Sequence, residues 1–194
     1  MKRHLITLAA SALVALASAA SLAAPVNYEI DPSHTFPSFE ADHMGISVWR
    51  GKMNKSSGSV VYDKATGAGS VDIAIDPASI DFGQDALNDW GRGEHFFDVA
   101  KFPKASFKGR FDGFANGAPT RLVGELTLHG VTRPMTLAIN KLKCIPHPML
   151  KRELCGADAA GSFKRDEFGL DAGKDYGFKM DVDLRIQVEA IAEK

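Results

Sequence analysis

The sequence predicts an all-β fold: an antiparallel barrel with one short helical insertion. Three observations carry this. The closing stretch "GFKMDVDLRIQVEA" puts Phe178, Met180, Val182, Leu184, Ile186 and Val188 on one parity, with Lys179, Asp181, Asp183, Arg185, Gln187 and Glu189 on the other. That is a strand with one apolar and one charged face. Similar alternation recurs in runs separated by short turn signals. Helical composition is confined to one glycine-interrupted region, "DPASIDFGQDALNDWGRGEHFFDVAKFP". Many alternating strands suit a sandwich or a barrel. Long amphipathic strands favour the barrel, because closure removes unpaired edges.

The chain opens "MKRHLITLAASALVALASAASLAAP". Lys2 and Arg3 precede an uncharged apolar run from Leu5 to Leu22, the layout of a secretory signal peptide. The small residues Ser21 and Ala23 place cleavage after Ala23, with Ala19 as an alternative. The run is nearly long enough to act as an uncleaved anchor, but its alanine and serine content favours removal. No cysteine stands near the cleavage point, which argues against a lipoprotein. Residues 1–23 are therefore expected to be a leader and residues 24–194 a single exported domain, long enough for eight strands. No second apolar run of spanning length occurs, so stable membrane insertion is not expected. The whole chain carries a net charge of −1; without the leader it has 21 basic and 24 acidic residues, a net of −3. A mildly acidic domain without a basic cluster argues against nucleic acid.

The first strand candidate is "IDPSHTFPSFEADHMG", residues 30–45. Asp31-Pro32-Ser33 is a strand-entry turn. Thr35, Pro37, Phe39, Ala41 and His43 then share one face, and Pro37 suggests an edge-like position or a bulge. "SVVYD" and "GSVDIAID" pair across residues 64–68. In the insertion, short helices or turns are expected at Asp85–Trp90 and Glu94–Val99, and Phe96 and Phe97 could cap a barrel mouth. "KASFKGRFDGF" is a further strand. "TRLVGELTLHG" and "RPMTLAIN" set Leu122, Leu126 and Leu128 against Met135, Leu137 and Ile139, with "HGVTRP" turning the chain between them.

Cys144 and Cys155 are the two cysteines of the chain. Export makes a disulfide the default for a lone pair, and the spacing is not that of a redox C-x-x-C. The prolines of "CIPHPMLKRELC" suit a constrained loop rather than a strand interior.

The histidines invite a metal or catalytic reading, which the spacing opposes. His34 and His43 would lie about 30 Å apart on one continuous strand, on opposite faces. No H-E-x-x-H, C-x-x-C or H-x-H occurs, and no G-x-S-x-G anchors a nucleophile. Neither a metal site nor catalytic residues are expected. His43 is either a satisfied interior histidine or a polar handle in a pocket. A barrel of about eight strands either fills itself with side chains or holds a ligand, and periodicity does not choose between the two. Twelve phenylalanines against three tyrosines skew the aromatic surface toward the purely apolar.

The ordered motifs "YEIDPSHTFPSFEADHMGISVWRGKM", "GSVVYD", "VDIAIDPASIDFG", "HFFDVAKFPKASFK", "GELTLHGVTRPMTL" and "FKRDEFGL" together resemble the YceI-like polyisoprenoid-binding family over nearly the whole of residues 24–194. The resemblance implies a lipocalin-like eight-stranded antiparallel barrel with an elongated apolar cavity. It implies a periplasmic protein that binds a long apolar molecule (polyisoprenoid, isoprenoid quinone or fatty-acyl chain) for transport, storage or sequestration. It implies no catalytic residues and no cofactor beyond the bound lipid, and it allows a homodimer. Pocket positions carried over on this basis are Phe39, Ala41, His43, Phe97, Phe107, Leu126, Leu128, Val182 and Leu184. Pro37, Ala41 and Met53 depart from the family's usual residues, which would widen the cavity near one end if they face inward. The rival readings are an enzyme acting on the lipid through His43 or His34, and a filled barrel serving as an interaction module.

Overall fold

The alternation of the last strand is used on both of its flanks. In the computed structural model, which describes residues 24–194, the strands are β1 (Val26–Ile30), β2 (Phe36–His43), β3 (Ser47–Met53), β4 (Ser56–Tyr62), β5 (Gly69–Ile75), β6 (Ile80–Asp81), β7 (Ala105–Ala115), β8 (Ala118–Leu128), β9 (Val131–Pro146), β10 (Glu153–Lys164) and β11 (Asp181–Ala192), with one α-helix, α1 (Asp85–Arg92). The expected leader, residues 1–23, lies outside the described residues.

All pairings are antiparallel, and β11 closes the ring. One flank of β11 pairs with β10 along its whole length. The other pairs first with β2, through Val182–Gln187, and then with β1, through Ala190–Ala192. Thus β1 and β2 are two halves of one interrupted wall strand. The break is the Asp31–Ser33 turn, where the Asp31 carboxylate accepts from the Ser33 N–H at 2.9 Å. The next two positions are interrupted in the same way: β4 pairs with β1 and β3 with β2, then β5 pairs with β4 and β6 with β3. The result is a closed eight-position barrel in the order β1, β4, β5, β7, β8, β9, β10, β11, with β2, β3 and β6 extending it at one end.

Pro37 holds an edge-like position rather than a bulge, with one flank paired and the other not. It faces Ile186 on β11, one residue ahead of the first β2–β3 pair at Ser38 and Lys52. There its missing N–H falls at the start of the strand, where it is tolerated.

Local chemistry sets the turns. His129 and Gly130 both take positive φ, 51° and 75°, as a tight two-residue hairpin requires. Gly109 and Gly124 face each other across β7 and β8. A Cβ on Gly124 would stand 2.1 Å from the Lys108 carbonyl oxygen, so this close approach needs glycine. In β9 an extra residue, Asn140, falls between the pairs Ile139–Ala159 and Lys141–Asp158. This bulge switches the inward parity from Met135, Leu137 and Ile139 to Leu142 and Cys144.

The insertion begins as expected: α1 is capped by the Gln84 side chain, which accepts from the Leu87 N–H at 2.6 Å. Asn88 ties it to β6 by accepting from the Phe82 N–H at 2.7 Å. Residues 94–99 form turns, one of the two forms expected there. The disulfide joins Cys144 and Cys155. The expectation of a looped bridge needs correction: both cysteines are directly paired strand residues of β9 and β10, and β9 continues through Pro146 before the turn. Pro146 is the last residue of its strand, a position that does not interrupt the ladder.

A candidate ligand cavity inside the barrel

Closing eight long strands leaves their inward side chains with a gap they do not fill. A cavity of about 570 Å³ runs inside the barrel, within the range of small-molecule sites. Its wall is overwhelmingly apolar. Val71, Phe107, Leu126, Leu137 and Val182 are drawn from five different strands, and all are buried.

The two ends differ. At one end the β1 tyrosine Tyr28 and the β4 tyrosine Tyr62 are packed with Ile30, Ala190 and Ala192. Tyr28 is 1% exposed and Tyr62 4%, so aromatic rings plug this end. At the other end the lining reaches the surface through Asp42 and Trp49 of the β2–β3 hairpin, Leu87 and Trp90 of α1, and Gly173, Phe178 and Lys179 ahead of β11. Trp90 is 40% exposed, and Asp42 meets Lys179 at 3.7 Å. This is the mouth. Phe96 stacks on Trp90 with centroids 4.8 Å apart and meets Phe97 edge-on, also at 4.8 Å, so the insertion packs aromatic rings over the side of the barrel that β6 leaves short.

The sequence-selected positions distribute as follows. Phe39, Ala41, Phe97, Phe107, Leu126, Leu128, Val182 and Leu184 all stand on the cavity wall, as do Pro37 and Met53. His43 is not among the lining residues. Its ring stacks on Trp49 at 4.2 Å and meets Phe178 edge-on at 5.0 Å, and its Nδ1 is buried with no hydrogen-bond partner. It stands behind the mouth aromatics. His34 lies on the exterior beside Asp31 and Glu189, with Nδ1 2.8 Å from the Asp31 carboxylate. The Asp31 hydrogen bond holds the His34 imidazole above its ordinary range. The two histidines occupy separate places at opposite ends of β2. The cysteine thiols that approach Glu153 are already joined to each other.

Residues that periodicity did not select complete the wall. Gly156, Ala157 and Ala159 of β10 line it, and their small side chains leave the space the cavity occupies. Arg165, from "FKRDEFGL", also lines it at 8% exposure. Its guanidinium donates to the carbonyls of Leu170 at 2.6 Å and Ala172 at 2.7 Å and lies 5.9 Å from the Phe96 ring centre. Burial lowers its pKa from the ordinary value, yet an arginine remains charged in a protein.

Among the described residues no helix is long and apolar enough to cross a membrane. The family profile described as "YceI-like domain" matches residues 28–190. A UPF0312 protein of Yersinia pestis is 33% identical over 192 residues, covering 97% of this chain and 98% of that one. A UPF0312 protein of an Enterobacter species is 29% identical over 196 residues, covering both chains in full. Among solved structures, Burkholderia cenocepacia BcnA aligns with a TM-score of 0.65 at 23% identity, over 82% of this chain and 98% of its own. A structure described as a polyisoprenoid binding domain from Saccharophagus degradans aligns with a TM-score of 0.64 at 19% identity, over 87% of this chain and 99% of its own.

Proposed function

The chain belongs to the YceI-like family, and on that premise we propose that its barrel holds one long apolar molecule, an isoprenoid, isoprenoid quinone or fatty-acyl chain, as a carrier or store rather than as an enzyme. The observation that carries this reading is the cavity: about 570 Å³ of space walled by aliphatic and aromatic side chains, plugged by tyrosines at one end and open at the other. A wall of this kind binds by burial. Each methylene removed from water contributes about 0.8 kcal/mol, so a long chain needs few polar contacts. Phe39, Ala41, Phe97, Phe107, Leu126, Leu128, Val182 and Leu184 would touch the chain. The description of the Saccharophagus degradans domain as polyisoprenoid-binding supports this ligand class.

Export to the periplasm is part of the same reading. It is supported by the leader-like composition of residues 1–23 and by the Cys144–Cys155 disulfide, a bond typical of oxidising compartments. Native mass spectrometry of the purified protein, followed by organic extraction, tests the binding claim. We expect an adduct that extraction releases as a long-chain apolar compound. A protein of bare polypeptide mass that takes up neither isoprenoid nor acyl probes would overturn it.

A further inference from the structure

The cavity wall includes one charged residue that the burial of an apolar chain does not explain. Asp42 and Lys179, at the rim, answer each other. Arg165 is a buried residue of the wall and forms no ion pair among the described residues; its two bonds go to neutral carbonyls. The nearest acidic influences are Asp166 and Asp171, and Asp166 is itself paired with Lys174 at 2.8 Å. A guanidinium carries five N–H donors, of which two are used here. An enclosed cation without a counter-charge is costly to bury, and a neutral side chain of similar length would suit a wall meant only for hydrocarbon.

The position of Arg165 is informative as well. It follows the end of β10, and its own N–H donates to the Met180 carbonyl at 2.8 Å, so it sits at the mouth end of the barrel beside Phe96. From Phe163 back to Cys155, β10 supplies roughly 26 Å of wall, and the lining along that stretch is small or apolar. The cavity thus has a cation near its mouth and hydrocarbon below. We propose that Arg165 is a headgroup-binding residue that selects long-chain ligands ending in an oxyanion, a carboxylate or a phosphate, with the chain directed toward Tyr28 and Tyr62. This rests on the carrier reading above and narrows its ligand class. Two carbonyls fix the guanidinium plane in advance, so an arriving oxyanion meets an oriented donor fork, the arrangement in which charge-assisted hydrogen bonds are strongest.

The test is competition against a neutral apolar probe, N-phenyl-1-naphthylamine, at pH 8 by three ligands of one chain length: hexadecanol, hexadecanoate and hexadecyl phosphate. Wild-type protein should bind at least one of the two anions about tenfold or more tighter than the alcohol, and the better anion identifies the head. In Arg165→Met the preference should fall to near unity while hexadecanol affinity is kept, and Arg165→Lys should restore part of it. Equal binding of all three by the wild type overturns the proposal and leaves the carrier reading standing. Failure of all three to displace the probe overturns the carrier reading itself. An anion preference that survives in folded Arg165→Met overturns the assignment to Arg165. If Arg165→Met does not fold, the wild-type structure with hexadecyl phosphate decides: phosphate oxygens within hydrogen-bond distance of the guanidinium support the proposal, and a head held at Lys179 instead overturns it.

Discussion

The Tyr28 hydroxyl donates to a carboxylate oxygen of Glu153, across 125 residues of chain. The other oxygen of that carboxylate accepts from Lys64 Nζ at 2.6 Å. One acidic side chain at the start of β10 therefore ties β1 and the β4–β5 loop together at the plugged end of the cavity. Burial, reinforced by Glu153, holds the Tyr28 phenol well above its ordinary range, so it is a fixed donor at any physiological pH.

Tyr28→Phe keeps the buried ring and removes only the donor. It should lower the free energy of unfolding by about 1–2 kcal/mol, read from chemical denaturation at pH 7. An unchanged midpoint would show that the hydroxyl adds nothing to closure.

The same carboxylate gives a pH dependence with a definite sign. Burial by itself would raise the Glu153 pKa, but Lys64 and Tyr28 outweigh it and the folded value lies below the ordinary one. A depressed carboxyl stabilises the fold above its unfolded pKa, about 4.3, and that stability is lost as pH falls through the folded value. The stability difference between wild type and Glu153→Gln should therefore be full at pH 6 and shrink as acid is added below about pH 4. A difference independent of pH in a denaturation series contradicts this account.

The disulfide joins neighbours already paired in the β9–β10 ladder. Loop-closure entropy gives its removal a cost of about 3 kcal/mol. Reduction should lower the melting temperature while leaving ligand affinity nearly unchanged at 25 °C, because the hairpin pairing survives. A large loss of affinity on reduction, with the protein still folded, would place the bridge in the binding machinery.

His43 presents an unpartnered ring nitrogen in an aromatic stack. His43→Phe keeps the stack and removes the orphaned polar atom, so it should be neutral or stabilising by up to about 1 kcal/mol, with ligand affinity unchanged. A marked loss of affinity in calorimetric titration would return His43 to the pocket as a polar handle.

The fold was most legible where packing demands large side chains. The parity of β11 and the β8–β9 hairpin can be read directly, because Val182, Leu184, Leu126 and Leu137 contrast sharply with their charged neighbours. By contrast, β10 gives almost no periodic signal in "CGADAAGSFK", because a wall that bounds empty space uses Gly156, Ala157 and Ala159 rather than bulky residues. The interruption that splits β1 from β2 depends on which stretch of one flank of β11 each half meets, and a local pattern does not contain that. His43 shares the parity of Phe39 and Ala41 but lies at the last residue of β2, beyond the point where β11 pairing ends at Ala41, so parity no longer fixes its direction. Arg165 was visible only as part of a motif. Its role depends on the carbonyls of Leu170 and Ala172, which a sequence does not display.

On the proposed reading the barrel interior, not its surface, takes up the apolar chain. Ala159 lines the cavity at mid-height on β10 and is 4% exposed, so Ala159→Phe should project a ring into that space at a stability cost of about 1–3 kcal/mol. The decisive measurement is isothermal titration of delipidated wild-type and Ala159→Phe protein with the same long-chain ligand. Saturable binding of one molecule per wild-type chain is expected, with at least a tenfold weaker affinity in the blocked variant. Equal affinity in the two proteins, with Ala159→Phe folded, would contradict that reading.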